Sequence, residues 1–364
     1  MSSRLGPGRR PVAAMPEPAE GAPHPLLPPL ALAAYVASVA GAGAFANCSL
    51  LGALLKSSTA GLFSVLLQLA IADIALGASI STEIWSYNMK NWTLGSYSCI
   101  AYRGLSILAS TASAYLVTTV ALHTLATANL EEKSLARRMR RNNQDEDEEI
   151  RSSRHSLVAS SDSSTPPRTM NVDYRVSSSR VPITQPTVFV WLLAISLSVP
   201  DFTLATTVEL DRSSIVCTIV DSSERMHLYP ILALFNLFLP AVIMSVAGVL
   251  VLIKLKSKRL ALSQIEGCET ISALKLSLWL IAVYYVLCAP HSVLTTYNVY
   301  STALRGNGSS LIESIHHGNP SSSIGLALSC VYLSSILVRP LLCIILLPSV
   351  RKAFSYSHGD TDSV

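Results

Sequence analysis

Charge is what this sequence has least of. Asp, Glu, Lys and Arg make up 14% of its 364 residues, against about a quarter in an ordinary soluble domain. Enzyme signatures are missing too: there is no Gly-rich phosphate loop, no His/Cys/acid set at metal-ligand spacing and no nucleophile set. No catalysis and no cofactor are therefore expected. The first 24 residues are rich in Pro, Gly and Ala without an apolar core, which argues against a cleavable signal peptide and leaves the first span to act as signal anchor. That leading tail is too short for a ligand-binding ectodomain. The net charge of +4 is modest, and its placement in short loops speaks for membrane topology rather than nucleic-acid binding.

Half of the chain is hydrophobic and its mean hydropathy is +0.43. The few charges leave gaps longer than the roughly 20 apolar residues a spanning helix needs. Leu26–Leu55, Gly104–Leu130, Val181–Pro200, Leu228–Ile253 and Leu276–Leu304 carry no Asp, Glu, Lys or Arg. Ser57–Thr82 holds one acid, Asp73, and Ser314–Val338 is followed by Arg339 and a further apolar stretch to Val350. Seven gaps predict an all-α membrane protein, a seven-helix bundle with its termini on opposite sides.

Loop charge sets the orientation. Lys56, Lys254, Lys256, Lys258, Arg259, Lys275, Arg351, Lys352 and the run Arg137–Arg141 fall on one side, which basic loops assign to the cytoplasm. The N-terminus is then extracellular and the C-terminus cytoplasmic, in a multi-pass protein of the plasma membrane. The sequons at Asn91 and Asn307 land in outer loops as glycosylation candidates, whereas Asn47-Cys48-Ser49 lies within the first span and stays silent. Of seven cysteines, only Cys99 and Cys217 fall on the oxidising outer side, which leaves one pairing. It would tie the top of the third helix to the loop after the fourth.

The domain plan is an extracellular disordered tail (1–25), helices one to three (26–130), a disordered cytoplasmic loop (131–180), helices four to seven (181–347), an amphipathic helix (348–357) and a tail (358–364). The loop runs basic, then acidic, then Ser-rich, a composition that buries too little to fold. The terminal Thr361-Asp362-Ser363-Val364 has the pattern that adds as a strand to a PDZ groove.

Several positions resemble the rhodopsin-like (class A) G-protein-coupled receptors. Asn47, Leu69-Ala70-Ile71-Ala72-Asp73, the Trp92-Thr93-Leu94-Gly95 turn before Cys99, Trp191, and Pro200, Pro240, Pro290 and Pro340 follow the family's order and spacing. Pro348–Phe354 resembles its eighth helix on the inner membrane face. The resemblance implies sodium binding at Asp73; the plainer alternative is an Asp hydrogen-bonded to Asn47 and Ser113. An acid at mid-membrane costs about 3 kcal/mol, so it needs a partner or a role.

The departures concern the switches. Where the family has Asp/Glu-Arg-Tyr, this chain has His123-Thr124-Leu125, so the charged contact of activation is gone. Asn-Pro-x-x-Tyr reads Arg339-Pro340-Leu341-Leu342-Cys343, the fifth-helix Tyr is Gly248, and Cys-Trp-x-Pro reads Leu287-Cys288-Ala289-Pro290. The pattern is that of an orphan-type receptor with degenerate switch motifs. Arg339 either pairs with Asp73 in place of a cation, around a degenerate sodium site that includes Ser113, or snorkels to the inner face.

The pocket is narrowed by what it lacks. Amine receptors carry an Asp where Ser106 stands, and visual pigments a Lys where Leu333 stands. Pocket candidates are Glu83, Trp85, Arg103, Ser106, Ser110, His291, Thr295 and Asn298, with Glu83 and Arg103 either pairing across the mouth or meeting ligand. Adjacent His316 and His317 in an outer loop point apart more readily than they chelate. The leading expectation is a receptor for an unknown extracellular ligand, a peptide or lipid before an amine, signalling to heterotrimeric G proteins or arrestin. The alternative is a receptor-fold protein without G-protein activation, a partner-binding or trafficking subunit. A transporter is disfavoured because Asp73 and Arg339 are the only mid-span charges.

Overall fold

The computed structural model describes residues 25–56, 61–155, 183–211, 214–219, 230–261, 269–304 and 320–359. Seven helices in it are long and apolar enough to cross a membrane. They are α1 (Pro29–Lys56), α2 (Gly61–Met89), α3 (Ser96–His155), α4 (Thr184–Leu204), α5 (residues 230–261), α6 (residues 269–304) and α7 (Pro320–Leu346), and a short α8 (Pro348–Gly359) follows. Between α4 and α5 stands an antiparallel hairpin of β1 (Ala205–Asp211) and β2 (Ser214–Ile219). α3 is the central helix, packed against α2, α4, α5 and α6, while α7 packs against α1 and α2.

The bundle buries polar side chains among an apolar core and turns further apolar ones outward. Asn47, Asp73, Glu83, Asn88, Thr111, Ser113 and Arg339 are buried, whereas Phe189, Leu192, Val246, Val249, Ile253, Trp279 and Val286 are exposed. That distribution suits a hydrocarbon surround, in which helices associate by close fit rather than by escape from water. Glycine supplies the fit at two places. A methyl on Gly77 would lie 2.7 Å from Ile336 Cδ1, and one on Gly104 would lie 2.4 Å from the ring of Phe202. α7 thereby seats against α2, and α4 against α3.

α5 and α6 each contain a π turn. α5 runs through the π turn Leu234–Phe238 into Leu239–Ala261, and α6 joins Glu269–Val283 to Ala289–Leu304 through the π turn Tyr284–Cys288. Each turn ends two residues before a proline, Pro240 and Pro290. Proline offers no N–H to the carbonyl four residues back and crowds it with its ring; a widened turn just upstream relieves both.

One expectation is revised, and one element was unforeseen. The disordered loop expected from residue 131 does not begin there, because α3 continues as helix to His155. Residues 131–155 hold no Gly or Pro and are rich in Glu and Arg. Once the buried half of α3 has nucleated the helix, such residues propagate it at little cost. The hairpin was not anticipated at all. Its strands are short, and they are fixed from outside: Trp92 N–H donates to Ile215 O at 2.7 Å, and Ile215 N–H to Asn91 Oδ1 at 2.9 Å. Residues 1–24 of the expected tail 1–25, the Ser-rich part of the loop, Asn307, His316, His317 and the terminal four residues lie outside the described residues.

Candidate functional site

At the end of the bundle that carries the disulfide, α2, α3, α5, α6, α7 and the last turn of α4 enclose a cavity of about 170 Å3. Its walls include six of the residues singled out from the sequence, Glu83, Arg103, Ser106, Ser110, His291 and Thr295. Trp85 does not line it, and the side chain of Asn298 lies outside the described residues. Cys99 and Cys217 form a disulfide with a Cα–Cα distance of 5.5 Å, joining the first turn of α3 to β2 above the cavity. Trp92 packs buried against Cys99 and Ala205 and donates its indole N–H to Gly95 O at 2.8 Å, so the turn before α3 braces the same corner.

Two ion pairs and a Glu–His couple border the cavity, each joining two helices. Arg103 Nη2 of α3 lies 2.8 Å from Asp201 Oδ1 of α4. His291 Nε2 of α6 lies 2.8 Å from Glu83 Oε1 of α2, and the Ser329 hydroxyl donates to the same oxygen at 3.3 Å. Arg339 of α7 donates through Nη1 to both Asp73 Oδ1 of α2 and Ser113 Oγ of α3. The pairing expected across the mouth between Glu83 and Arg103 is not made. Each has a nearer partner, and Asp201, the acid just past Pro200, supplies the one for Arg103. Unpaired, any of these charges would be costly at such burial.

Arg339 forms the cavity floor, with Asp73 behind it. Its side chain is 2% exposed and that of Asp73 1%. Nη2 reaches Cys288 Sγ at 3.1 Å. Two departures that look independent in the sequence therefore meet: a Trp in the place of Cys288 would stand where the guanidinium lies. Asn47 does not bond to Asp73; it donates instead to the carbonyls of Gly43 and Ile336, both at 2.9 Å, tying α1 to α7.

The π turn of α5 furnishes the far wall. Thr111 Oγ1 donates to Asn236 Oδ1 at 2.6 Å, and the Tyr115 hydroxyl donates to Phe235 O at 2.7 Å, so both α3 contacts fall on the widened turn. Asn236, Tyr284, Tyr332 and Asp201 line the cavity without having been singled out. Asn236 and Tyr284 sit in π turns, where helical spacing misreports the facing side. Asp201 had a legible signal, an acid directly after a kinked apolar run.

At the opposite end, Thr124 is buried and its hydroxyl bonds back to Ala121 O at 2.9 Å within its own helix. Leu125 is buried beside it, and His123 is half-buried near Gly61. The cross-helix contacts of α3 lie two turns further along. Glu131 accepts a hydrogen bond from Thr270 of α6, and Glu132 pairs with Lys254 of α5. Pro290 follows the π turn of α6, Pro340 lies inside α7, and Cys343 is buried one turn beyond.

No curated protein matches the chain. The sequence model of the family described as 7 transmembrane receptor (rhodopsin family) matches residues 169–342, from ahead of α4 through most of α7. Asn47, Asp73 and Cys99 precede the matched stretch. The match covers a little under half of the chain, and joined to seven apolar helices of membrane length it makes the chain similar to the rhodopsin family of seven-transmembrane receptors.

Proposed function

We propose that the protein is a receptor of the plasma membrane that takes an extracellular ligand into the cavity beneath the disulfide and signals to G proteins on the opposite side. The N-terminus and the hairpin lie outside, and α8 and the far half of α3 lie inside, as the basic loops require. The observation that carries this reading is the cavity floor. Arg339 lines the cavity and binds groups on α2, α3 and α6 while Pro340, a helix hinge, follows it directly. A ligand that moves this guanidinium disturbs four helices at once, the kind of two-state element a receptor needs. Glycans on Asn91 and Asn307, arrestin as a second inner partner and a PDZ protein at Val364 belong to the same proposal.

A specific observation favours a second reading, a receptor-fold protein that binds partners or aids their trafficking without activating G proteins. Thr124 turns its hydroxyl onto its own helix and offers no charge at the inner face. One comparison separates the two: basal recruitment of a G-protein panel in cells by the native chain and by Thr124→Arg, at matched surface level. Recruitment of a subtype by the native chain supports the receptor reading, with coupling achieved without an Arg at position 124. Recruitment by the variant alone supports the partner reading.

A further inference from the structure

We infer that the outer edge of β1 binds an extended peptide with a basic residue, adding it to the hairpin as a third strand. This rests on the ligand-binding half of the function proposed above, not on G-protein coupling. The two edges of the hairpin are unlike. At the β2 edge, the N–H and C=O of Ile215 both point away from β1 and are taken by Asn91 Oδ1 and Trp92 N–H. Ile215 stands opposite Glu209 in the antiparallel register, so Glu209 likewise turns its N–H and C=O away from β2. Thr207, opposite Cys217, lies two residues back and does the same. Among the described residues the sheet has only these two strands, and no third one meets that edge. Ala205 N–H returns to Asp201 O in the last turn of α4, so the unpaired edge starts at the rim of the cavity that Asp201 lines.

Nothing within β1 closes this edge. Its sequence holds no Pro and no Lys, the usual blocks to a further strand, and the bulge comes only beyond Glu209. A donor and an acceptor on one residue, repeated two residues along, fit the backbone of another strand better than a compact organic ligand. The exposed Glu209 side chain supplies the charge that selects the occupant. A residue directly opposite it would share its face of the sheet, where opposite charges attract. Cys217 lies on that face and its disulfide leads to α3, so alternate side chains of the peptide point toward the bundle. The chain's own leading segment is a poor occupant. It is rich in Pro, which lacks the N–H, and Leu26 and Leu27 tie it to Asn88, close in chain to Asn91 at the occupied edge.

The test uses the full chain in lipid nanodiscs and the dye-labelled pentapeptide acetyl-Thr-Val-Lys-Val-Thr-amide, with binding read by fluorescence anisotropy. With Lys opposite Glu209, the N–H groups of Lys and both Thr face β1, and those of both Val face away. N-methylation of Lys and both Thr should weaken binding about tenfold or more, whereas N-methylation of both Val should leave it nearly unchanged. Glu209→Gln should weaken the peptide several-fold, and Glu209→Lys should favour the same peptide with Glu in place of Lys. Thr207→Pro removes an edge N–H and spares the pairing with β2; it should keep the thermal midpoint and lose binding.

Equal loss from the two methylated peptides, indifference to Glu209→Gln, or no binding of the peptide would overturn the inference. Slow hydrogen exchange at the Thr207 and Glu209 amides without peptide would also overturn it, by assigning the edge to a segment of the chain itself. Basal G-protein recruitment is read on the same chain. A chain that recruits but ignores the peptide loses only the inference, while one that binds the peptide without recruiting keeps it and loses the coupling.

Discussion

The guanidinium of Arg339 reaches the carboxylate of Asp73 across the middle of the bundle, and neither side chain is more than 2% exposed. Removing one partner leaves a buried charge alone. Asp73→Asn or Arg339→Met should each destabilise by about 3 kcal/mol, and the double variant should recover most of the loss. Thermal unfolding in detergent measures this, and equal, additive losses would show that the two groups do not act as a pair. With Arg339 in the place of a cation, the native midpoint should also be the same in sodium chloride and choline chloride.

Cys288 and Arg339 occupy space that a larger residue at 288 would claim. Cys288→Trp should therefore destabilise by at least the 1–3 kcal/mol of an overpacked core. Arg339→Asn, which withdraws the guanidinium, should offset part of that loss in the double variant. If Cys288→Trp alone is harmless, the two positions are independent.

The bonds from Glu131 to Thr270 and from Glu132 to Lys254 hold α3 against α6 and α5 at the end away from the disulfide. Polar contacts this near the surface are worth about 1 kcal/mol or less. Glu131→Gln combined with Lys254→Ala should thus raise basal G-protein recruitment several-fold rather than a hundredfold. A fall in recruitment at unchanged surface level would mean that these groups contact the partner instead.

Gly104 gives the ring of Phe202 its seat. Gly104→Ala should lower stability by about 1–3 kcal/mol, and Phe202→Leu should relieve part of the clash. Surface expression and thermal midpoint report it together. Because Arg103 and Asp201 flank this contact, the single variant should also disturb the cavity mouth, which the compensated double variant should restore.

The seven spans were legible because the bilayer imposes a length and an apolarity that scarce charges reveal directly. The disulfide was legible because only Cys99 and Cys217 fell on one side. What escaped was whatever depends on partner choice in three dimensions. Arg103 had Glu83 and Asp201 as candidate acids, and only the last turn of α4 decides for Asp201. The hairpin escaped because Asn91 and Trp92, over a hundred residues away, complete its hydrogen bonds. The long α3 escaped because the composition that marks a disordered linker, charged and Gly-free, is also one that lengthens an existing helix.

The two π turns have a consequence for comparing this chain with others. A π turn is a helix with one surplus residue, so removing a residue from 234–238 would rewind α5 as plain α-helix. Everything on its disulfide side would then rotate by about 100°. Leu232 would leave the cavity wall for the lipid face, and a neighbour would take its place without a single substitution. A helix bundle of this kind can change what its cavity displays by gaining or losing one residue ahead of Pro240 or Pro290. Counting positions back from those prolines then pairs residues that never occupy the same place.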